Sequence, residues 1–353
     1  LAMAVTSLAY SSNGLSNDYA AGSEIRQDIS AGGSPDVNLT GTVTNSSGSS
    51  IDMTVLADAS GVSSVAGVAL ATAINQRVTG GGNDDLQLSG TVDNSGSLSA
   101  NAIAIAESTE DVASVYGEVF GIRQHLSGGG GNVMTATGTV TNSSTSTIDV
   151  LAFASAAASA FASAAVLAHG IDQDISGGAG NNLTMTGNVD NSGTLSLGAV
   201  ADADSSDDSA SASATGRGIV QKIAGGSGDD LTATGTVTNS SSNSINVAVL
   251  ANATASATAD ARATAAGIDQ SVSVGGGDVV VSSGTVDNSG SLVTSASARG
   301  FSLNSSANAA ATATGIDQYV TSGGANDSAT GTVTNSSLST IDVSAVAEAD
   351  AST

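Results

Sequence analysis

The chain has no cysteine and no tryptophan, one proline in 353 residues, and only four tyrosines and four phenylalanines. Without cysteine it has neither disulfides nor thiolate metal ligands. With aromatics at 2% of residues, a wide interior cannot be filled by large interlocking side chains, so any core must be thin and built from small residues. Basic residues are scarce too: 7 Lys+Arg stand against 32 Asp+Glu, a formal net charge of −25. That balance speaks against nucleic acid as a partner, because phosphate binding needs a basic footprint, and against an anionic membrane surface. No apolar run approaches the ~20 residues of a membrane helix, so no membrane insertion is expected.

What the chain has in abundance is Gly, with 44 residues, together with Ala, Ser, Thr, Val and Asn; hydrophobic residues make up 40%. It can therefore bury surface while its charge keeps it soluble, unlike a disordered acidic segment.

The composition is organised by an internal repeat. A glutamine in the setting I-x-Q recurs at Gln27, Gln76, Gln124, Gln173, Gln221, Gln270 and Gln318, at spacings of 49, 48, 49, 48, 49 and 48 residues. A second landmark is the asparagine of G-(T/N)-V-(T/D)-N-S, at Asn45, Asn94, Asn142, Asn191, Asn239, Asn288 and Asn335. The units alternate in chemistry as well as length. T-N-S-S leads to Ile51, Ile148, Ile245 and Ile341, whereas D-N-S-G leads to Leu98, Leu195 and Leu292. The full period is thus 97 residues, made of two similar units of 48 or 49. Repeat arrays need atypical capping units, and none is visible, so residues 1–353 are expected to form one continuous uncapped array, a slice of a longer chain or fibre.

Within a unit the side-chain period is two. Val247, Val249, Ala251, Ala253 and Ala255 continue through Ala265 with polar residues such as Asn252, Thr254 and Asp260 between them, which is a strand pattern. An Ala-rich helix is the rival on propensity, but strict alternation would spread polar residues all round it. A single strand of that length would span on the order of 60 Å. Breaks are supplied by Ser205-Ser206-Asp207-Asp208 and Glu107-Ser108-Thr109-Glu110-Asp111, by the S-G-G-x-G-N and N-S-G/N-S-S turns, and by a corner at Gly121, Gly170, Gly267 and Gly315. Three or four short strands per unit, stacked at ~4.8 Å, give an all-β fold, a repetitive β-solenoid. One large rung per unit is the favoured arrangement, with two smaller coils per unit as the alternative. In-register stacking places the seven Gln in one column and the seven Asn in another, where each amide can donate to the next.

Other features admit chemistry, each beside a plainer reading. The turns Gly225-Gly226-Ser227-Gly228-Asp229-Asp230 and Gly80-Gly81-Gly82-Asn83-Asp84-Asp85 are similar to the Ca²⁺-binding nonapeptide of β-roll toxins, but they occur once per unit and become Asn181-Asn182 in another copy. A tight turn is the plainer reading, and no cofactor is expected otherwise. Thr232, Thr234, Thr236 and Thr238, with Thr135, Thr137, Thr139 and Thr141, resemble the ice-binding rows of β-helical antifreeze proteins. Units carrying Gln87, Ser89, Thr91 and Asp93 interrupt them. Asn45, Asn142, Asn239, Asn335, Asn252 and Asn304 head N-x-S/T sequons that would carry glycans in a source that glycosylates Asn. His125 and His169 occupy different places in the unit, and no set of titratable groups points to catalysis.

The recurrent G-T-V-x-N-S-(G/S)-x-(I/L) turn resembles the strand repeats of bacterial autotransporter passengers and large surface adhesins. The stretch Gln173-Asp174-Ile175-Ser176-Gly177-Gly178-Ala179-Gly180-Asn181 more distantly resembles the repeats of functional-amyloid fibres. Both resemblances imply an extracellular or cell-surface rod with no catalytic role. The expectations are a structural fibre or biofilm-matrix protein that self-associates end to end, or the stalk of an adhesin, with a Ca²⁺- or ice-binding solenoid as a third reading.

Overall fold

The structure is a computed structural model that describes residues 1–11, 15–129, 131–240, 243–336 and 339–351. Its described residues form twenty strands and no helix. All strand pairs are parallel, and each residue lies beside the residue 47 to 50 positions further on, as in Ile51↔Leu98, Gln173↔Gln221 and Leu195↔Ile245. The repeat unit is therefore one coil of the solenoid, not two.

Each coil has three sides. Coil 4 is typical: Thr147–Ala158 forms the first face, Phe161–Gly177 the second and Gly180–Asn191 the third. The first face contains eight stacked strands, from Ala2–Ser11 to Thr340–Ala351. The second and third faces belong to one ladder, because Ser64–Asn94 in coil 2 runs through both and pairs with Val112–Gly128 and with Gly131–Asn142.

The second face is bent. In Phe161–Gly177 burial alternates at Ala162, Ala164 and Val166, runs unbroken from Ala168 through His169 and Gly170 to Ile171, and alternates again at Gln173 and Ile175, so the inward set changes parity at Gly170. Pairing skips the same position, passing from Arg217↔Ala266 to Ile219↔Ile268. The glycine expected at a corner is there for lack of space. A Cβ on Gly170 would lie 2.6 Å from the Gly218 carbonyl oxygen and 2.7 Å from Leu195 Cδ1.

Alanine, a poor strand former on propensity, fills the inward rows because the faces close to within small-residue distance. Ala152, Ala154, Ala162 and Ala164 are at most 1% exposed. The larger Ile and Leu landmarks, including Ile148, Leu195 and Ile245, pack against the corner glycines Gly121, Gly170 and Gly218. A second, smaller core contains Leu86, Leu126, Met134, Ile175, Leu183 and Ile223 and lies between the end of the second face and the start of the third.

Candidate functional site: amide ladders and nested turns

The glutamine column separates the two cores. In coil 2, Ile74 on one side of Gln76 belongs to the larger core and Val78 on the other side to the smaller. A buried amide between two apolar cores needs every donor and acceptor occupied. Gln76 Nε2 donates to Gln27 Oε1 at 2.9 Å, Gln124 to Gln76 at 2.8 Å, Gln173 to Gln124 at 2.8 Å, and the series continues through Gln221, Gln270 and Gln318. The second Nε2 hydrogen crosses the coil to a third-face carbonyl, such as Thr91 O from Gln76 at 3.0 Å and Thr236 O from Gln221 at 3.0 Å. The glutamines of coils 2–6 are fully buried.

Room for each amide comes from the glycine facing it. A Cβ on Gly138 would approach Gln124 Oε1 and Ile175 Cδ1 at 2.8 Å, and Gly41, Gly90, Gly187, Gly235, Gly284 and Gly331 meet their glutamines in the same way. Gln and Gly are therefore a matched pair, 14 residues apart in all coils but the last, where Gln318 and Gly331 are 13 apart.

The asparagine column runs with the opposite polarity. Asn45 Nδ2 donates to Asn94 Oδ1 at 2.7 Å, Asn94 to Asn142 at 2.8 Å, Asn142 to Asn191 at 2.8 Å, and so on to Asn335. Glutamine amides thus donate towards the preceding coil and asparagine amides towards the following one. Both expected columns are present, and all fourteen residues take part.

The sites also explain why the period is doubled. The turn after T-N-S-S has two more residues between the Asn and the next apolar landmark than the D-N-S-G turn. In the long turn, Ser146 Oγ donates to Asn142 Oδ1 and to Ser143 O, both at 2.6 Å. The short turn of the next coil fits beneath it. A Cβ on Gly193 would sit 2.6 Å from Asn142 Nδ2, Ser143 O and Ser146 O, and Gly290 is held against Ser240 O and Asn243 O in the same way. The compensating difference lies at the first corner. Ser159-Ala160 spans it in coil 4 and Ser206-Asp207-Asp208 in coil 5, where Ser205 Oγ donates to Ala160 O at 2.8 Å and accepts from Asp208 N.

Charge alternates with the turns. The outward column beside the Asn ladder reads Thr44, Asp93, Thr141, Asp190, Thr238, Asp287, Thr334. Each carboxylate is held by its own turn, with Ser192 Oγ donating to Asp190 at 2.9 Å, and Ser192 pairs across to Ser240 at 3.1 Å. Like charges in such a column are about 9.6 Å apart instead of about 4.8 Å, halving their repulsion.

Comparison with protein families, characterised proteins and solved structures finds no match.

The remaining candidates take these places. Thr232, Thr234, Thr236 and Thr238 point outward while Leu231, Ala233 and Val237 are buried, as the alternation predicts. The expected interruption of the Thr rows is present: Gln87 and Asp93 break the outer columns, and Asn188 breaks the inner column of Thr139 and Thr236. The column Thr40, Ser89, Thr137, Thr186, Thr234, Ser283, Thr330 carries a hydroxyl in every coil. The Gly-rich turns leave Asp229 and Asp230 exposed. The side chains of residues 82–84 lie outside the described part. Among the described residues no group of three or more His, Cys, Asp or Glu could hold a metal ion. His125 Nδ1 and His169 Nδ1 each lie 3.4 Å from an aspartate, Asp174 and Asp172 respectively. Of the sequons, Asn142 and Asn239 are fully buried with Nδ2 committed to the ladder, so a sugar there would break it, whereas Asn304 is exposed at a corner.

Proposed function

We propose that the chain is a segment of an extracellular structural fibre or surface matrix, without catalysis, in which stacked coils provide stiffness and further coils extend the rod. The observation that carries this reading is the pair of opposed amide ladders. Fourteen side chains that a binding protein would aim at a ligand are aimed at each other, coil after coil. Added to a parallel backbone ladder on three faces, they tie every coil to its neighbours at two points inside the rod.

A further coil would continue both ladders only in parallel stacking, because glutamine amides donate towards the preceding coil and asparagine amides towards the following one. Imaging of the purified chain by cryo-electron microscopy at rising concentration tests this. Continuous filaments with axial order at about 4.8 Å and an alternation at about 9.6 Å support a self-assembling fibre. Discrete short rods at all concentrations would overturn end-to-end assembly and leave the adhesin stalk.

A further inference from the structure

The first face differs from the other two on its outer side. Its middle outward column carries Leu56, Ile103, Phe153, Val200 and Leu250 in the five consecutive coils 2–6. Each is half-buried, with its outer side left in water. Leu151 and Ile105 broaden the stripe on either side, and Leu151 is 39% exposed. Coil stacking does not require such a row. On the second face the outward column that holds Leu70 and Leu167 is broken by Glu118 between them, and outward columns of the third face are rich in Thr.

A contiguous outward apolar stripe with a polar rim marks a place where another surface packs. This one runs straight along the rod axis in steps of about 4.8 Å, so a partner that matches it side chain for side chain has the same axial step. A second copy of the chain has it. Size allows the contact as well. A 12-residue strand is about 40 Å long and eight stacked strands span about 38 Å, so the face offers on the order of 1,500 Å², against the roughly 800 Å² per partner of a stable interface. Charge then chooses between the two ways of laying stripe on stripe. With the rods parallel, about a two-fold axis along the stripe, each coil meets the same coil and the flanking columns exchange. Asp58 faces Thr54, Glu107 faces Ser99, and Asp149 faces Ala157, and in coils 2–6 no two carboxylates oppose each other; only at the rim of coil 8 do Asp342 and Asp350 meet. With the rods antiparallel about coil 4, Asp149 faces its own copy and Glu107 faces Asp204 at the centre of the contact, and like charges directly opposite are destabilising.

We propose that the first face is a self-pairing surface: two copies of the chain pack first face to first face with their rods parallel, and the apolar stripe of coils 2–6 lies at the centre of the contact. The pairing is sideways and closes at two, so it thickens the rod and is independent of growth by further coils. Both partners carry a formal charge of −25, and no opposite charges face each other across coils 2–6. The contact therefore strengthens as salt screens the repulsion between the rods, the reverse of an association held by ion pairs.

The test is sedimentation equilibrium of the intact chain over a range of concentrations, at low salt and at about 0.5 M salt. A monomer–dimer equilibrium that tightens with salt is expected. Phe153→Thr/Leu250→Thr should weaken it at least about tenfold, whereas Leu70→Thr/Leu167→Thr, which changes outward leucines of the second face, should leave it as it was; matching melting curves establish that both fold. Orientation is read separately. The chain has no cysteine, so Leu250→Cys carries a single thiol, and a short bismaleimide should join two copies through it. In an antiparallel pair those sulfurs would lie about 19 Å apart along the axis, beyond its reach. In micrographs a doubled width reports this pairing, and increased length alone reports end-to-end growth. A parent chain that stays monomeric or only lengthens, association that weakens with salt, equal weakening by the two double variants, or a dimer that Leu250→Cys does not cross-link would each overturn the proposal.

Discussion

Removal of one rung of the glutamine ladder gives the sharpest test of what holds the coils together. Gln173→Met keeps nearly the same volume between the two cores but deletes the amide. Gln124 Oε1 then loses its donor at 2.8 Å, and one hydrogen on Gln221 Nε2 loses its acceptor at 2.9 Å. Both groups are fully buried, and an orphaned buried polar group costs about 1–3 kcal/mol. The expected loss is therefore about 2–6 kcal/mol, local to coils 3–5. Repeat arrays unfold by neighbouring units and not always in one step, so amide hydrogen exchange resolved by coil is the assay, supported by urea unfolding. Gln173→Glu adds a sign that cavity or packing effects cannot mimic. One carboxyl oxygen would face Gln124 Oε1 and Asn188 O, both acceptors, while the other keeps a single donor, Gln221 Nε2, so burial against two acceptors raises its folded pKa above the unfolded value of about 4.3. A raised carboxyl leaves stability intact below the unfolded pKa and loses it as pH climbs towards the folded one. This variant should match its parent best at about pH 4 and fall behind progressively towards pH 7. If Gln173→Met is as stable as the parent, or if Gln173→Glu shows no added pH dependence, the ladder is not a source of cohesion.

Three further outcomes follow from the same geometry. Gly193→Ala should destabilise by about 1–3 kcal/mol through its clash with the long turn of the preceding coil, whereas Gly198→Ala, whose Cβ meets only Leu151 Cδ1 at 3.1 Å, should be tolerated; paired melting curves compare them. Thr238→Asp would stack a carboxylate directly between Asp190 and Asp287, adding about 1 kcal/mol of repulsion per neighbour at low salt that should vanish near 1 M salt. For Asp202, burial first and the charge of Asp204 second raise the carboxyl above 3.8. Its penalty is therefore absent at pH 3 and present at pH 7, and Asp202→Asn should be neutral in acid and stabilising at neutral pH, read by unfolding at both.

The parts of this fold that were legible in the sequence are those written once per coil. The Gln and Asn columns followed from spacing alone, and the inward rows from alternation. The corner at Gly170 followed from the glycine standing before I-x-Q at Gly121, Gly170, Gly267 and Gly315, a place that Glu24 and Ala73 take in the first two coils. What spacing could not show was the contact partner. Gly138 reads as a strand glycine of no stated purpose until the fold places it against Gln124, and the Gly of D-N-S-G reads as a turn residue until it is seen under the preceding turn. The signal was present as a fixed offset of 14 residues from Gln to Gly, and it gained meaning only when the third face was folded back onto the second.

The doubled period solves a problem that identical coils would create. In an array of identical units, a slip by one coil costs nothing at the slipped interface, so stacking in the wrong register competes with the correct one. Here a slip by one coil sets long turn on long turn and short on short, removing the seat that Gly193 and Gly290 find against the preceding turn. It also brings Asp190 level with an aspartate in place of Thr141 or Thr238. Only a slip of two coils, 97 residues, restores both contacts. The interior ladders are indifferent to this choice, since every coil carries the same Gln and Asn. Cohesion therefore resides in the identical interior residues and register in the alternating turns, and the two can be separated by experiment: Gly193→Ala should loosen register and leave the Gln ladder protected from exchange, while Gln173→Met should do the reverse.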